Sequence, residues 1–388
     1  MHATNHPSEP IYITWVENEQ TRRARWCAEN NHSPPKRVIT GDDTLSADAA
    51  YRLVSQGTSL LWRGDFQNAR QLLQALARRV DKKQQGGKKK HDKDLAAPSP
   101  LDVFNRHRLQ QSQRTDLLSR LLIELDADAG IGLRRAPDVR EACQAALDMP
   151  NEPFLLSLRA LQGIIGAHEW RKKGVAVPGL TLPIHVHYGV YSPNRGEYLD
   201  LLMQAPLPSK ELAFDIGTGS GVIAALLAQR GVRQIVATDT DPRALACASE
   251  NFSRHRLDGI VQLRKVDLFP EGRSPLIVCN PPWLPARPTT PIEHAIYDPG
   301  SRMLLGYLDG LAQHLEPAGE GWLVMSDLAE HLGLRTPGFL TDAIAAAGLR
   351  VVDKLETRPR HPKAMDESDP LHAARRAETT SLWRLAVA

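Results

Sequence analysis

Three glycines at alternate positions, Gly217, Gly219 and Gly221, follow the apolar run 212–216 and precede a helical pattern over 222–230. Strand, glycine turn and helix open a nucleotide-binding βαβ unit. Glycine suits such a turn because a ligand must approach the backbone closely and the dihedrals are unusual. Asp215 stands inside the first run, and Asp239 closes the next one, 234–239. An acid about 20 residues past the turn is placed to take both hydrogen bonds of a ribose diol. Asp267 closes a third run, 260–267, and a fourth, 275–279, leads into Asn280-Pro281-Pro282-Trp283. An amide or aromatic amine nitrogen is a poor nucleophile because its lone pair is delocalised. The Asn280 side-chain oxygen and the Pro281 carbonyl could accept its two N–H bonds and aim it, on a loop that two prolines stiffen.

Each of these groups falls at or near the carboxyl end of an expected strand, where parallel αβ sheets bind ligands, so one pocket is the economical reading. The ordered set resembles class I S-adenosylmethionine-dependent methyltransferases. The Asn-Pro-Pro-aromatic element is similar to that of enzymes methylating amino or amide nitrogens. The resemblance implies that Asp215 and the 217–221 backbone hold the amino-acid end of S-adenosylmethionine. It also implies that Asp239 holds the ribose and that Asp267 accepts from the adenine amine. Asn280, Pro281 and Trp283 would receive the acceptor, with the Trp283 ring stacking on a planar target. Upstream, Val190-Tyr191-Ser192-Pro193 and Glu197 resemble the proline-plus-acid segment of HemK-like protein-glutamine methyltransferases, which makes Glu197 a candidate cofactor-pocket residue. The aromatic here is Trp, where that family usually has Tyr.

The flanking patterns complete the expected fold. A helix over 303–315, a strand over 321–325, a helix over 339–347, and strands over 349–355 and 380–385 extend the unit. The whole fits an α/β fold, a seven-stranded mostly parallel Rossmann-like methyltransferase sheet, and the resemblance covers residues 186–388. Residues 175–191 alternate apolar and polar around a Pro-Gly turn, which predicts a hairpin. The charged segment 358–378 is expected to border the substrate.

Residues 1–180 predict a mainly helical, substrate-gripping domain ahead of a catalytic domain over 181–388. Helical patterns appear at 46–54, 66–80, 101–126, 139–147 and 154–170. Between the second and third, 81–94 carries six lysines and no apolar residue, and predicts a loop over 81–100.

Net charge is +3, but residues 1–180 hold 27 basic against 21 acidic side chains. That bias suits an acidic partner such as RNA. The four cysteines are too scattered for a zinc clamp, and His185 and His187 lack a third ligand, so no metal is expected. The N-terminal residues lack a signal-peptide pattern and no run is long enough to span a bilayer, which predicts a cytoplasmic protein without membrane contact. Gly-x-Gly-x-Gly departs from the Gly-x-Gly-x-x-Gly of nicotinamide-dependent oxidoreductases, and intact Asp239 and Asn280 argue against a non-catalytic binding module. The leading expectation is methylation of a glutamine side chain on a translation factor or ribosomal protein. The alternative is an exocyclic amine of RNA or DNA.

Overall fold

Two units divide the chain, one of residues 1–98 and 106–168, the other of 99–105 and 169–388. The computed structural model describes residues 9–28, 33–91, 98–193, 196–288, 291–360 and 365–388, without the side chains of 84–91 and 291.

In the first unit the chain runs β1 (Tyr12–Glu17), β2 (Gln20–Trp26), β3 (Val38–Gly41), α1 (Ala47–Ser55), β4 (Ser59–Trp62) and α2 (Phe66–His91). It continues through α3 (Pro100–Leu118, of which 100–105 belong to the second unit), β5 (Leu121–Leu125), α4 (Arg140–Ala146), β6 (Phe154–Ser157) and α5 (Leu158–Lys173, of which 169–173 do). The strands form one mixed sheet ordered β1-β2-β6-β5-β4-β3. The helices expected here are present, and the sheet comes in addition to them. Leu60, Leu61, Leu121, Leu122, Ile123, Leu125 and Phe154 to Leu156 are all fully buried. Strands covered on both faces show no alternation, and short apolar runs do not distinguish strand from helix. The pattern over 101–126 therefore splits into α3 and β5, and that over 154–170 into β6 and α5.

The expected lysine-rich loop is also corrected in part. The backbone of α2 stays helical through His91, and residues 92–97 lie outside the described set. Lysine and glutamine are good helix formers, so a helix already nucleated by its apolar first half propagates through them. Ser46 caps α1 as its side-chain oxygen accepts from the Ala49 N–H.

The second unit continues with α6 (Glu197–Gln204), β7 (Leu212–Ile216), α7 (Val222–Gln229), β8 (Gln234–Asp239), α8 (Pro242–Arg254), β9 (Val261–Lys265) and β10 (Ser274–Cys279). It ends with α9 (Arg302–His314), β11 (Leu315–Ser326), α10 (Leu328–His331), α11 (Phe339–Ala346), β12 (Leu349–Thr357), α12 (His372–Ala377) and β13 (Thr380–Val387). Its seven-stranded sheet is ordered β12-β13-β11-β10-β7-β8-β9. The pairs β7·β8, β8·β9, β7·β10 and β10·β11 are parallel, and β13 is antiparallel to both β11 and β12. The chain thus starts mid-sheet, winds outward through β9, then returns to the other side of β7. That reversal opens a crevice at the carboxyl ends of β7 and β10.

Side chains of β10 alternate between two cores. Leu276 and Val278 join Leu226, Trp322 and Tyr198 on one face, while Ile277 and Cys279 join Tyr307, Leu308 and Leu311 on the other. The strand is thereby held on both sides just before Asn280.

The hairpin expected over 175–191 reduces to a single bridge, Val175 to Ile184. Pro178 and Pro183 offer no N–H to extend the ladder. The segment turns instead to α8. Asn251 accepts from the His185 N–H at 2.8 Å and donates back to the His185 carbonyl at 3.1 Å.

Candidate active site

The turn after β7 takes left-handed dihedrals at all three glycines, with φ of +71°, +56° and +83° at 217, 219 and 221. A Cβ at Gly221 would meet the Phe252 ring at 2.7 Å, and one at Gly217 would overlap Met303, whereas nothing lies within 4 Å of the position at Gly219. The turn is packed at its two ends and open at its centre, which leaves the Gly219 backbone approachable by a ligand.

Asp215 is fully buried beneath this turn. Its Oδ2 accepts from the Thr218 hydroxyl at 2.6 Å and the Ala224 N–H at 3.1 Å. Its Oδ1 is buried with no hydrogen-bond partner. Burial pushes the carboxyl up to about 7 against the pull of those two donors. An orphaned buried acceptor suits a cationic donor, and the α-ammonium group of S-adenosylmethionine is one.

Asp239 stands at the end of β8, where its Oδ2 accepts from the Gly219 N–H at 3.0 Å and its Oδ1 from the Asp241 N–H at 2.9 Å. Each oxygen keeps acceptor capacity for a ribose hydroxyl. Burial raises the pKa of this carboxyl as well.

Asp267 follows β9 and is half exposed, ion-paired with Arg302 at the start of α9. The acid expected to meet an adenine amine therefore already has a cationic partner, one that the sequence reading did not single out.

Asn280 leaves β10 beside the Trp283 ring, and its Oδ1 accepts from the indole N–H at 3.0 Å. Tyr198, the second residue of α6, is 3% exposed, and burial raises its pKa against a smaller opposing pull from Asn280. Pro281 is buried, and the Trp283 ring packs against both cores of the sheet. Glu197, a candidate cofactor residue, is the buried first residue of α6, beside Tyr198.

The loop after Trp283 closes on itself. Leu284 accepts from the Asp298 N–H at 2.8 Å and donates to the Ile296 carbonyl at 3.1 Å. The buried Asp298 carboxylate then takes the N–H groups of Met303 and Leu304, capping α9. Leu284 packs with Phe104, Leu328, Ala329, Leu332 and Leu371.

Farther along, the buried Ser326 hydroxyl at the end of β11 donates to the Glu378 carboxylate at 2.7 Å, and Asp327 accepts from the Thr379 N–H. This ties the end of segment 358–378 to the carboxyl end of the sheet. His361, in the same segment, lies outside the described residues.

The structure therefore brings Asp215, the glycine turn and Asp239 into direct contact, and sets Asn280 at the end of the strand beside β7. Tyr198, Asp298, Arg302 and Met303 were missed. Their contacts join distant positions, and only the Asp298-Pro299-Gly300 breaker hinted at a helix start. His187 contacts Glu250 at 2.7 Å and belongs to the brace between 185–187 and α8.

The strand order, with a glycine turn at the switch point, is that of a Rossmann-like fold. The methyltransferase small domain family matches residues 181–334. A release factor glutamine methyltransferase of Xylella fastidiosa is 32% identical over 290 residues, covering 68% of this chain and 96% of that protein. The chain belongs to this methyltransferase family. A release factor glutamine methyltransferase of Cereibacter sphaeroides is 33% identical over 161 residues, 38% of this chain and 56% of that protein. A ribosomal protein L11 methyltransferase of Bordetella parapertussis is 27% identical over 176 residues, 42% of this chain and 57% of that one. The chain spans little more than half the length of these last two relatives. Among the described residues no helix is long and apolar enough to cross a membrane.

Proposed function

We propose that this chain transfers a methyl group from S-adenosylmethionine to a planar amide nitrogen, the side chain of a glutamine in a translation-related protein. The observation that carries the reading is Asn280 at the end of β10, with its carboxamide held in place beside the turn that Asp215 and Asp239 organise. The cofactor supplies an electrophilic methyl group when bound. Asp215 Oδ1 would take its ammonium group, the open centre of the turn would admit its amino-acid end, and Asp239 would take the ribose diol. Asp267 would take the adenine amine in exchange for Arg302, and Glu197 would line the pocket.

Asn280 Oδ1 and the Pro281 carbonyl would accept the two N–H bonds of the acceptor. Orientation of a weak nucleophile and stabilisation of developing charge are then the chief sources of rate. The relatives named above are methyltransferases of a release factor glutamine and of a ribosomal protein, which supports a protein acceptor over a nucleic acid. The first unit is the part we assign to gripping that macromolecule, in a cytoplasmic setting.

The test is incubation with methyl-labelled cofactor and separately purified release factors, ribosomal proteins and ribosomal RNA. Label in a peptide, carried on a glutamine by fragmentation, is the expected result. Label that nuclease removes would transfer the reading to exocyclic amines of RNA.

A further inference from the structure

A carboxamide can face its neighbours in two ways, with oxygen and NH2 exchanged. Only one of the two serves an acceptor nitrogen that must be held by its N–H bonds. An indole N–H donates and never accepts, so the Trp283 contact at 3.0 Å identifies the Asn280 atom it meets as the oxygen. The anchor is itself fixed, because Trp283 packs against the cores on both faces of the sheet.

We propose that Trp283 is a positioning residue that locks the Asn280 carboxamide in a single orientation, leaving the second lone pair of Oδ1 for the acceptor N–H. The proposal rests on the methyl-transfer reading and assigns Trp283 a task that a flat ring alone cannot perform. Inverting the amide would set NH2 against the indole N–H, two donors face to face, so the inverted form is strongly depopulated. The lock also explains Trp at this place. Phe has the ring without a donor, and Tyr carries its donor at the far end of the ring, so neither reproduces an N–H on the edge that faces Asn280.

The experiment uses the full chain and the variants Trp283→Phe and Asn280→Ala, with Trp283→Phe also made on the Asn280→Ala background. Cofactor affinity is read by calorimetry, folding by thermal unfolding, and turnover on the glutamine acceptor as kcat and KM separately. Trp283→Phe is expected to lower kcat about 10- to 100-fold, with acceptor KM and cofactor affinity each within about threefold. On the Asn280→Ala background the same change should add less than about a twofold loss. In the cofactor-free protein, the Trp283 indole N–H resonance should shift upfield and exchange faster when Asn280 becomes Ala.

An unchanged kcat in Trp283→Phe would overturn the lock, as would a full further loss on the Asn280→Ala background. So would an indole resonance indifferent to Asn280. Failure of the functional reading looks different: Asn280→Ala would then leave methyl transfer intact while the indole resonance still moved.

Discussion

Arg302 at the start of α9 holds the carboxylate of Asp267 in an ion pair. The two residues are 69% and 51% exposed, so the pair is screened and worth at most about 1 kcal/mol. If adenine takes the same carboxylate, Arg302 is a weak competitor for it. Arg302→Gln should change cofactor affinity by less than about fivefold, in the direction of tighter binding. Asp267→Ala should weaken it by about tenfold. Calorimetry on the two variants checks both, and tighter binding after loss of Asp267 would remove it from the pocket.

Asp215 makes a pH prediction. Its carboxyl is raised from 3.8 to about 7 by burial, so the folded chain holds this proton more tightly than the unfolded chain does. The native state is therefore penalised as pH rises through that interval, and its stability falls. Asp215→Asn keeps an acceptor for Thr218 and Ala224 while removing the charge. Without cofactor it should melt higher than the parent at about pH 8 and close to it at about pH 5. Cofactor affinity should fall about 10- to 100-fold in the same variant, because an amide no longer neutralises an ammonium group.

The glycines of the turn should separate binding from folding. At Gly219 a methyl group meets nothing, so Gly219→Ala is expected to cost only about 1 kcal/mol in left-handed strain while obstructing the ligand. At Gly221 the added methyl sits against the Phe252 ring, so Gly221→Ala should lower stability by about 2–4 kcal/mol. Denaturant melts read beside cofactor titrations distinguish the two outcomes.

Glu250 on α8 gathers Arg171, Arg254 and His187. Burial raises its pKa, but the hydrogen bonds from these partners outweigh it and hold the carboxyl at about 2. Burial lowers the pKa of His187 despite the carboxylate, so the imidazole serves as a neutral N–H donor. Stability from Glu250 is therefore present above the ordinary glutamate range and lost as pH falls toward 2. Glu250→Gln should cost about 1–3 kcal/mol near neutral pH and progressively less in acid, measured by urea unfolding at several pH values.

The second unit was legible because its strands announce themselves. The runs 212–216 and 234–239 coincide with β7 and β8, each bounded by residues with a separate reason to stop. Gly217 takes a left-handed turn, and Asp241 caps the next helix through the Arg243 N–H. In the first unit the apolar runs of β4, β5 and β6 are buried on every side and carry no period, so helix and strand looked alike. At the site, Asp239 and Asn280 could be placed from their strand ends alone. The hand of the Asn280 amide could not, because it depends on how the Trp283 ring turns back onto it, and that ring's place is set by packing against cores built from distant strands.

Asp298 joins two jobs in one carboxylate. Its backbone closes the 284–298 loop onto Leu284, and its side chain starts α9. The residue at which the loop returns is thus also the one that sets where α9 begins, so the end of the loop and the first turn of the helix are anchored as one piece.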